Sequence, residues 1–338
     1  MQHHQLHRRH FTLGLGLSAL GLPALASPAR QVVVAESQGF SWAIPYLVSS
    51  KNLWKPHGIE ASTLQFTSGR LAFDAAVSGK AQFATSTDSV VGLAGANGVR
   101  SYIVAEFTRL SSGMVVVART DRGIDAPAQL KGKRIATTLG SSGHYFLSRY
   151  LSLHGLTLKD VTVVNLRGPD AVTAITQGGI DAFAWGWDAG QTAIAQGEGK
   201  VVQLPAQGLE RVFLSHYVLA ANEEVVEKSP QVVEGAVRAL LDAEAFYRAQ
   251  TEETLALVAQ RTKATVKTTR EGLSNVQVGV RLDDRLVDDL VLNGEWAIES
   301  GLARRPAQDL RALYRGLIYP DALRAAAPDR VTLGRSAP

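Results

Sequence analysis

An alternation that runs from the first ordered-looking segment to about Leu219 constrains this chain more than any other feature. Short apolar, β-branched runs take turns with helical stretches, several of which end at glycine. Gln31–Ala35, Ala61–Phe66, Ala81–Thr85 and Tyr102–Glu106 read as strands, with helices over Ile44–Lys51, Arg70–Val77 and Asp88–Ala94 between them. After Met114–Ala118 and the polar linker Arg119–Gly123 the pattern starts again. Lys133–Thr137, Val161–Asn165, Asp181–Trp185 and Val212–Leu219 read as strands, and Ser142–His154, Asp170–Gln177 and Ala189–Gln196 as helices. An apolar run without polar alternation suits a strand covered on both faces. Glycine just past a helix supplies the left-handed stop. Strands alternating with helices predict an α/β fold with mostly parallel sheet.

The alternation contains a half-repeat. Phe66-Thr-Ser-Gly leads through a helix and Ser78-Gly79 to Gln82-Phe83-Ala84. Leu166-Arg-Gly-Pro-Asp170 leads through a helix and Gly178-Gly179 to Ala182-Phe183-Ala184. Two similar α/β lobes are expected. From Ser229-Pro230 the character turns helical, with Val233, Val237, Leu240 and Leu241 on one stripe and further helices over Glu252–Arg261 and Asp283–Ser300. This segment is expected to pack on the first lobe, and the Arg- and Ala-rich tail from Ala325 to be loose.

Composition removes whole classes of function. The 338 residues include no cysteine, which excludes a disulfide scaffold, a zinc–thiolate site, an iron–sulfur cluster and a Cys nucleophile. A formal charge of +4 makes no demand for nucleic acid. Arg8-Arg9 followed by the uncharged run Phe11–Ala26 reads as an export signal, with Ala24-Leu25-Ala26 as its cleavage site. The run is too short for a helix crossing about 30 Å of hydrocarbon. Arg8-Arg9-His10-Phe11 is similar to the twin-arginine motif, with Thr12 where that motif prefers Leu. Beyond the signal the histidines are His57, His144, His154 and His216, with no short metal-ligand spacing. The reading assigns no metal and no cofactor.

Ala128-Gln-Leu-Lys-Gly-Lys-Arg-Ile-Ala136, Gly140-Ser-Ser-Gly-His-Tyr-Phe-Leu147, Gly179-Ile-Asp-Ala-Phe183 and Trp187-Asp188 together resemble the substrate-binding proteins of ABC importers, in the branch that takes aliphatic sulfonates, taurine, nitrate and thiamine precursors. Ala189 stands where that branch commonly has Pro after Trp-Asp. The resemblance spans about 31–300. It implies a two-lobed periplasmic-binding-protein type II fold with two crossover hinge strands and a helical C-terminal segment. Residues 1–26 would be the signal, 30–113 plus 220–315 lobe one, and 114–219 lobe two, with crossovers near Met114–Arg119 and His216–Ala221. It further implies a monomeric periplasmic protein that closes on a small organic anion and delivers it to a membrane permease and its ATPase. A thiamine-precursor or aromatic-ligand binder, a ligand sensor for a membrane receptor, and an enzyme on the same fold are the alternatives. Against the enzyme stand the missing cysteines and the export signal.

Ligands of open α/β sheets bind beyond the carboxyl ends of strands. That rule selects the candidate contacts. In lobe one they are Ser37, Gln38 and Trp42 after the first strand, Ser68 and Arg70 after the second, and Ser86, Thr87 and Asp88 after the third. In lobe two Ser141, Ser142, Gly143 and His144 open a helix, whose unpaired N–H groups can seat an anion or simply be capped by serine. Arg167 precedes the next helix. Trp185 and Trp187 can wall the site, with one of the two expected to face it by strand alternation. Asp188 can accept from an amine or ring nitrogen, or cap its own helix.

Overall fold

The computed structural model describes residues 30–274 and 276–334. The export segment read at 7–26 lies outside the described residues. In chain order the elements are β1 (Arg30–Ser37), α1 (Ala43–Ser50), β2 (Ile59–Phe66), α2 (Gly69–Val77), β3 (Phe83–Thr87), α3 (Asp88–Ala96), β4 (Ser101–Leu110), β5 (Met114–Arg119), β6 (Arg134–Thr137), α4 (Ser142–Leu153), β7 (Thr162–Asn165), α5 (Gly168–Thr176) and β8 (Ala182–Gly186). They continue as α6 (Trp187–Gln196), β9 (Val201–Gln203), β10 (Ser215–Asn222), α7 (Glu223–Lys228), α8 (Pro230–Ala249), α9 (Thr251–Thr262), α10 (Val266–Leu273), β11 (Gln277–Arg281), α11 (Asp284–Glu299), α12 (Leu310–Gly316) and α13 (Asp321–Ala326).

Two sheets result. The first has six strands in the order β11-β4-β10-β3-β1-β2, and the second has five in the order β7-β6-β8-β5-β9. The half-repeat is visible in both. β3-β1-β2 and β8-β6-β7 are parallel triplets of the same order, each bordered by an antiparallel strand, β10 or β5. The sheets are therefore mixed rather than mostly parallel. The strands that receive the chain from the other sheet run against the triplet they join. The chain passes between sheets at 111–113 and again at 204–214, so β5 belongs wholly to the second sheet and β10 wholly to the first. Residues 215–219, assigned to lobe two on sequence, thus sit in the first sheet.

The C-terminal segment is packed as far as Val331. Tyr314 is fully buried and donates its hydroxyl to the carbonyl of Gly92 at 2.8 Å. Val331 is buried and pairs with Leu282. The tail expected to be loose from Ala325 is instead docked as far as Val331, which is buried beside Leu282 just after β11. Helix α11 also ties the two sheets together. Its middle packs on α3, where Gly92 leaves room for Asn293; a Cβ on Gly92 would lie 2.8 Å from the Asn293 Cβ. Its far end carries Trp296, edge-on to Tyr145 and His144 of α4.

Between these elements lies a buried charge cluster. His216, inaccessible on β10, donates from Nδ1 to Glu106 of β4 at 2.9 Å and from Nε2 to Asp289 of α11 at 2.8 Å. Asp88 of α3 accepts the backbone N–H of His216 at 3.1 Å and the Asn293 amide at 2.7 Å. Arg109 closes the cluster by bridging Glu106 and Asp283. Burial alone would discharge the imidazole. The hydrogen bonds to Asp289 and Glu106, with their charges, outweigh it and lift the pKa to about 10. Burial moves Asp88 the other way for an acid, up to about 6.

His216→Gln would strand two buried carboxylates, and urea denaturation should show a loss of about 3–5 kcal/mol. The pH dependence has a definite sign. A folded pKa of about 10 exceeds the ordinary imidazole value of about 6.5. The stabilisation is therefore complete below about pH 6.5 and disappears as pH rises through about 10. The wild-type midpoint should fall across that window and the variant's should not. Parallel curves would refute the assignment of a charged His216.

Candidate functional site

The carboxyl ends of the two parallel triplets face one cavity of about 750 Å³. Five turns build it. After β1 come Gln38 to Trp42, after β2 Thr67 to Arg70, and after β3 Thr87. From the second sheet come Ser141 and Ser142 at the start of α4, and Trp185 to Asp188 where β8 runs into α6. Gly113 and Met114 of one crossing and Tyr217 of β10 form part of the wall, and Pro169, Val172 and Thr173 of α5 add another face. The turn from α9 to α10, with Thr262, Lys263 and Thr265, completes the rim.

The wall sets aromatic side chains among many polar ones. Trp42 is buried, edge-on to Tyr217 with ring centroids 4.7 Å apart. Phe40 meets Trp187 from the opposite sheet at 6.0 Å. Such an arrangement offers large flat surfaces at little entropic cost. Arg70 holds Asp74 with Nε and donates from a terminal nitrogen to the Gly140 carbonyl at 3.3 Å, so it bridges the two sides beside α4.

Helix α4 begins without a side-chain cap. Ser141 occupies the capping position, but its hydroxyl donates to the Thr138 carbonyl at 2.6 Å. The N–H groups of Ser142 and Gly143 are left without a protein partner among the described residues. Such N–H groups carry the partial positive charge of the helix end. Helix α2 of the first sheet, which follows β2 as α5 follows β7, is capped instead, since Ser68 Oγ accepts from the Leu71 N–H at 3.4 Å. Across from α4, Asp188 lies in the first turn of α6. Burial raises its pKa above the ordinary carboxylate range, while the N–H of Ala189 and its own N–H hold it down in part.

Ten of the expected contacts line the cavity: Gln38, Trp42, Ser68, Arg70, Thr87, Ser141, Ser142, Trp185, Trp187 and Asp188. Six lie elsewhere, for packing reasons. Ser37 is buried behind the first turn, donating to the Thr85 carbonyl at 2.9 Å. Ser86 donates to the Gly69 carbonyl. Asp88 serves the buried cluster. His144 is turned under α4 against Trp296, its Nδ1 accepting the Gly140 N–H, and burial lowers its pKa to about 4. Arg167 is exposed and paired with Asp170. Gly143 is a packing residue, since a Cβ there would meet Thr137 Oγ1 at 2.6 Å and the Ala184 carbonyl at 3.1 Å. Both tryptophans line the cavity, which corrects the expectation of one: residues two apart share a face of an extended strand, so alternation does not separate Trp185 from Trp187. Tyr217 and the α9–α10 turn were not foreseen. Tyr217 follows the buried His216, and alternation along β10 was the available signal. The turn carries no motif.

A model of the NMT1/THI5-like family matches residues 40–254. The taurine-binding periplasmic protein of Escherichia coli (strain K12) is 28% identical over 233 residues, 68% of this chain and 71% of that protein. Among solved structures, the alkanesulfonate-binding protein SsuA from Xanthomonas axonopodis pv. citri bound to MOPS superposes with a TM-score of 0.73 at 19% identity, covering 87% of this chain and 100% of that one. The desulfurization enzyme DSZB shares the fold at a TM-score of 0.64 and 16% identity, covering 89% of this chain and 99% of that one.

The packing role of Gly143 gives a test. Alanine would gain up to about 1 kcal/mol of helix propensity. The collision with Thr137 and the Ala184 carbonyl opposes it and should win. Gly143→Ala is expected to destabilise by about 1–3 kcal/mol, read as a lower denaturation midpoint. An unchanged or higher midpoint would show that the first turn of α4 yields freely.

Proposed function

The chain belongs to the NMT1/THI5-like family, and on that premise we propose that it is the periplasmic solute-binding component of an ABC importer, closing on a small organic anion of the sulfonate type. The observation that carries the reading is the uncapped start of α4. A helix terminus that opens into a cavity, with its own serine turned away, is a seat for a sulfonate, carboxylate or phosphate oxygen. Arg70, hydrogen-bonded at Gly140, brings a guanidinium to the edge of that seat. The names of the taurine- and alkanesulfonate-binding relatives support the same chemistry.

The remaining wall fits the organic part of the ligand. Trp42, Trp185, Trp187 and Phe40 can hold an alkyl or aromatic body, and Asp188 can accept a hydrogen bond from an amine. The site draws on both sheets, so a ligand touching α4 and the turns after β1 and β2 favours the closed form by whatever it gains from the second contact. Closure is read as movement about the crossings at 111–113 and 204–214. The binding reading needs no reacting side chain. In the cavity, the hydroxyl of Ser141 is committed to Thr138, and His144 faces Trp296 rather than the opening.

Ser142→Pro isolates the proposed seat. Proline is tolerated at the first helical position, and Ser141 already has the extended backbone that precedes proline. The substitution removes one N–H and one hydroxyl from the seat with the helix intact. Calorimetry with propanesulfonate should show affinity weaker by about 1.5–3 kcal/mol, the value of a hydrogen bond to a charged group, at an unchanged melting temperature. Unchanged affinity would remove α4 from the ligand site.

A further inference from the structure

The cavity is far longer than its anion seat. Asp188, Gln191, Thr192, Ala195 and Gln196 all line it. Their spacing is that of one helix face, and at about 1.5 Å per residue the run from Asp188 to Gln196 covers about 12 Å. A volume of about 750 Å³ lies within the range of about 300–1,000 Å³ that encloses drug-sized ligands. A lone inorganic anion or a two-carbon amino acid analogue would leave most of it to water.

The chemistry changes along this length. The aromatic side chains belong to the turns after β1 and β8. The α9–α10 turn and the outer half of α6 carry hydroxyls, amides and a cation. Thr262, Thr265 and Thr268 line the cavity with Lys263, whose ammonium has no carboxylate partner among the described residues. This rim is held in place from behind. Arg261 donates to the buried Glu36 at 2.5 Å and lies over the Tyr46 ring at 4.8 Å, and Glu36 is the penultimate residue of β1, just before the first cavity turn. Lys263 itself terminates α9 in the left-handed conformation, with φ 57°. The rim is thus a preformed surface, and preorganisation lowers the cost of binding to it.

We infer that the ligand is an elongated organic anion whose acid head sits at α4, whose apolar body lies among the tryptophans, and whose far end bears oxygen acceptors met by Lys263, Thr268 and the outer face of α6. This inference rests on the anion-binding reading above and adds the length and the chemistry of the distal end. Lys263 can only donate, whereas the threonine hydroxyls and glutamine amides can donate or accept, so the cation decides the preference: the far group is an acceptor, with a carboxylate as its strongest form.

Calorimetry on the exported protein with propanesulfonate, hexanesulfonate and hexanesulfonate bearing an ω-carboxylate tests it. The ω-carboxylate should bind about two- to fivefold tighter than plain hexanesulfonate, and added salt should shrink the difference because the rim is exposed. Lys263→Gln, an exposed change outside any helix interior, should abolish the difference and leave propanesulfonate affinity as in wild type. Equal affinity for the two longer ligands, or a difference that survives in Lys263→Gln, overturns the distal subsite and leaves the anion seat standing. Failure of all three sulfonates to bind overturns the anion seat and this inference with it.

Discussion

The buried His216 cluster is the interaction on which the rest of the structure depends. One imidazolium holds β4 through Glu106, α11 through Asp289 and, by its backbone, α3 through Asp88. Arg109 ties the end of β4 to the start of α11. His216 is the second residue after one crossing between sheets, and Arg109 stands two residues before the other crossing begins. Both crossings are therefore anchored to the same set of charges. Taking these groups out of water is costly, and each is compensated only when every partner is in place. The cluster thus specifies a single docking of α11 and a single register of β10 against β4.

The cavity follows from that anchoring. With β10 fixed beside β3 and β5 beside β8, the two parallel triplets present their carboxyl ends to a common space. The turns there serve opposite purposes on the two sides. Ser68 caps α2 and closes that helix end, whereas Ser141 leaves α4 open. The half-repeat supplies two similar scaffolds, in which α2 corresponds to α5 and α4 follows β6, the counterpart of β1, so the open start of α4 is set by its own turn at Thr138. Behind the site, Trp296 of α11 packs on Tyr145 of α4, so the same helix that meets His216 also supports the second sheet.

Much of the fold was legible because its signals are local. The strand runs Gln31–Ala35 and Lys133–Thr137, the glycine stops and the half-repeat each sit within a few residues, and each became the element expected. Elements set by distant partners were not legible. The short β11 exists because it pairs with β4, and β9 because it pairs with β5. The docked tail depends on Leu282, some fifty positions away from Val331. The candidate site divides in the same way. Ser142 and Asp188 were found from the positions of strand ends. Asp88 and His144 have the same sequence credentials, yet they point into the protein, because each found a buried partner there.

By itself the sequence determined that this chain builds two α/β layers, and at which strand ends a ligand can be met, since hydrophobic period, glycine stops and repeat are properties of contiguous residues. Only the tertiary structure decided which of those polar side chains face the cavity, that the α9–α10 turn joins its rim, and that His216 is a buried structural cation. The physical reason is desolvation. A buried polar group must find a partner, the partner is supplied by whichever element the fold brings within about 3 Å, and no spacing along the chain encodes that meeting.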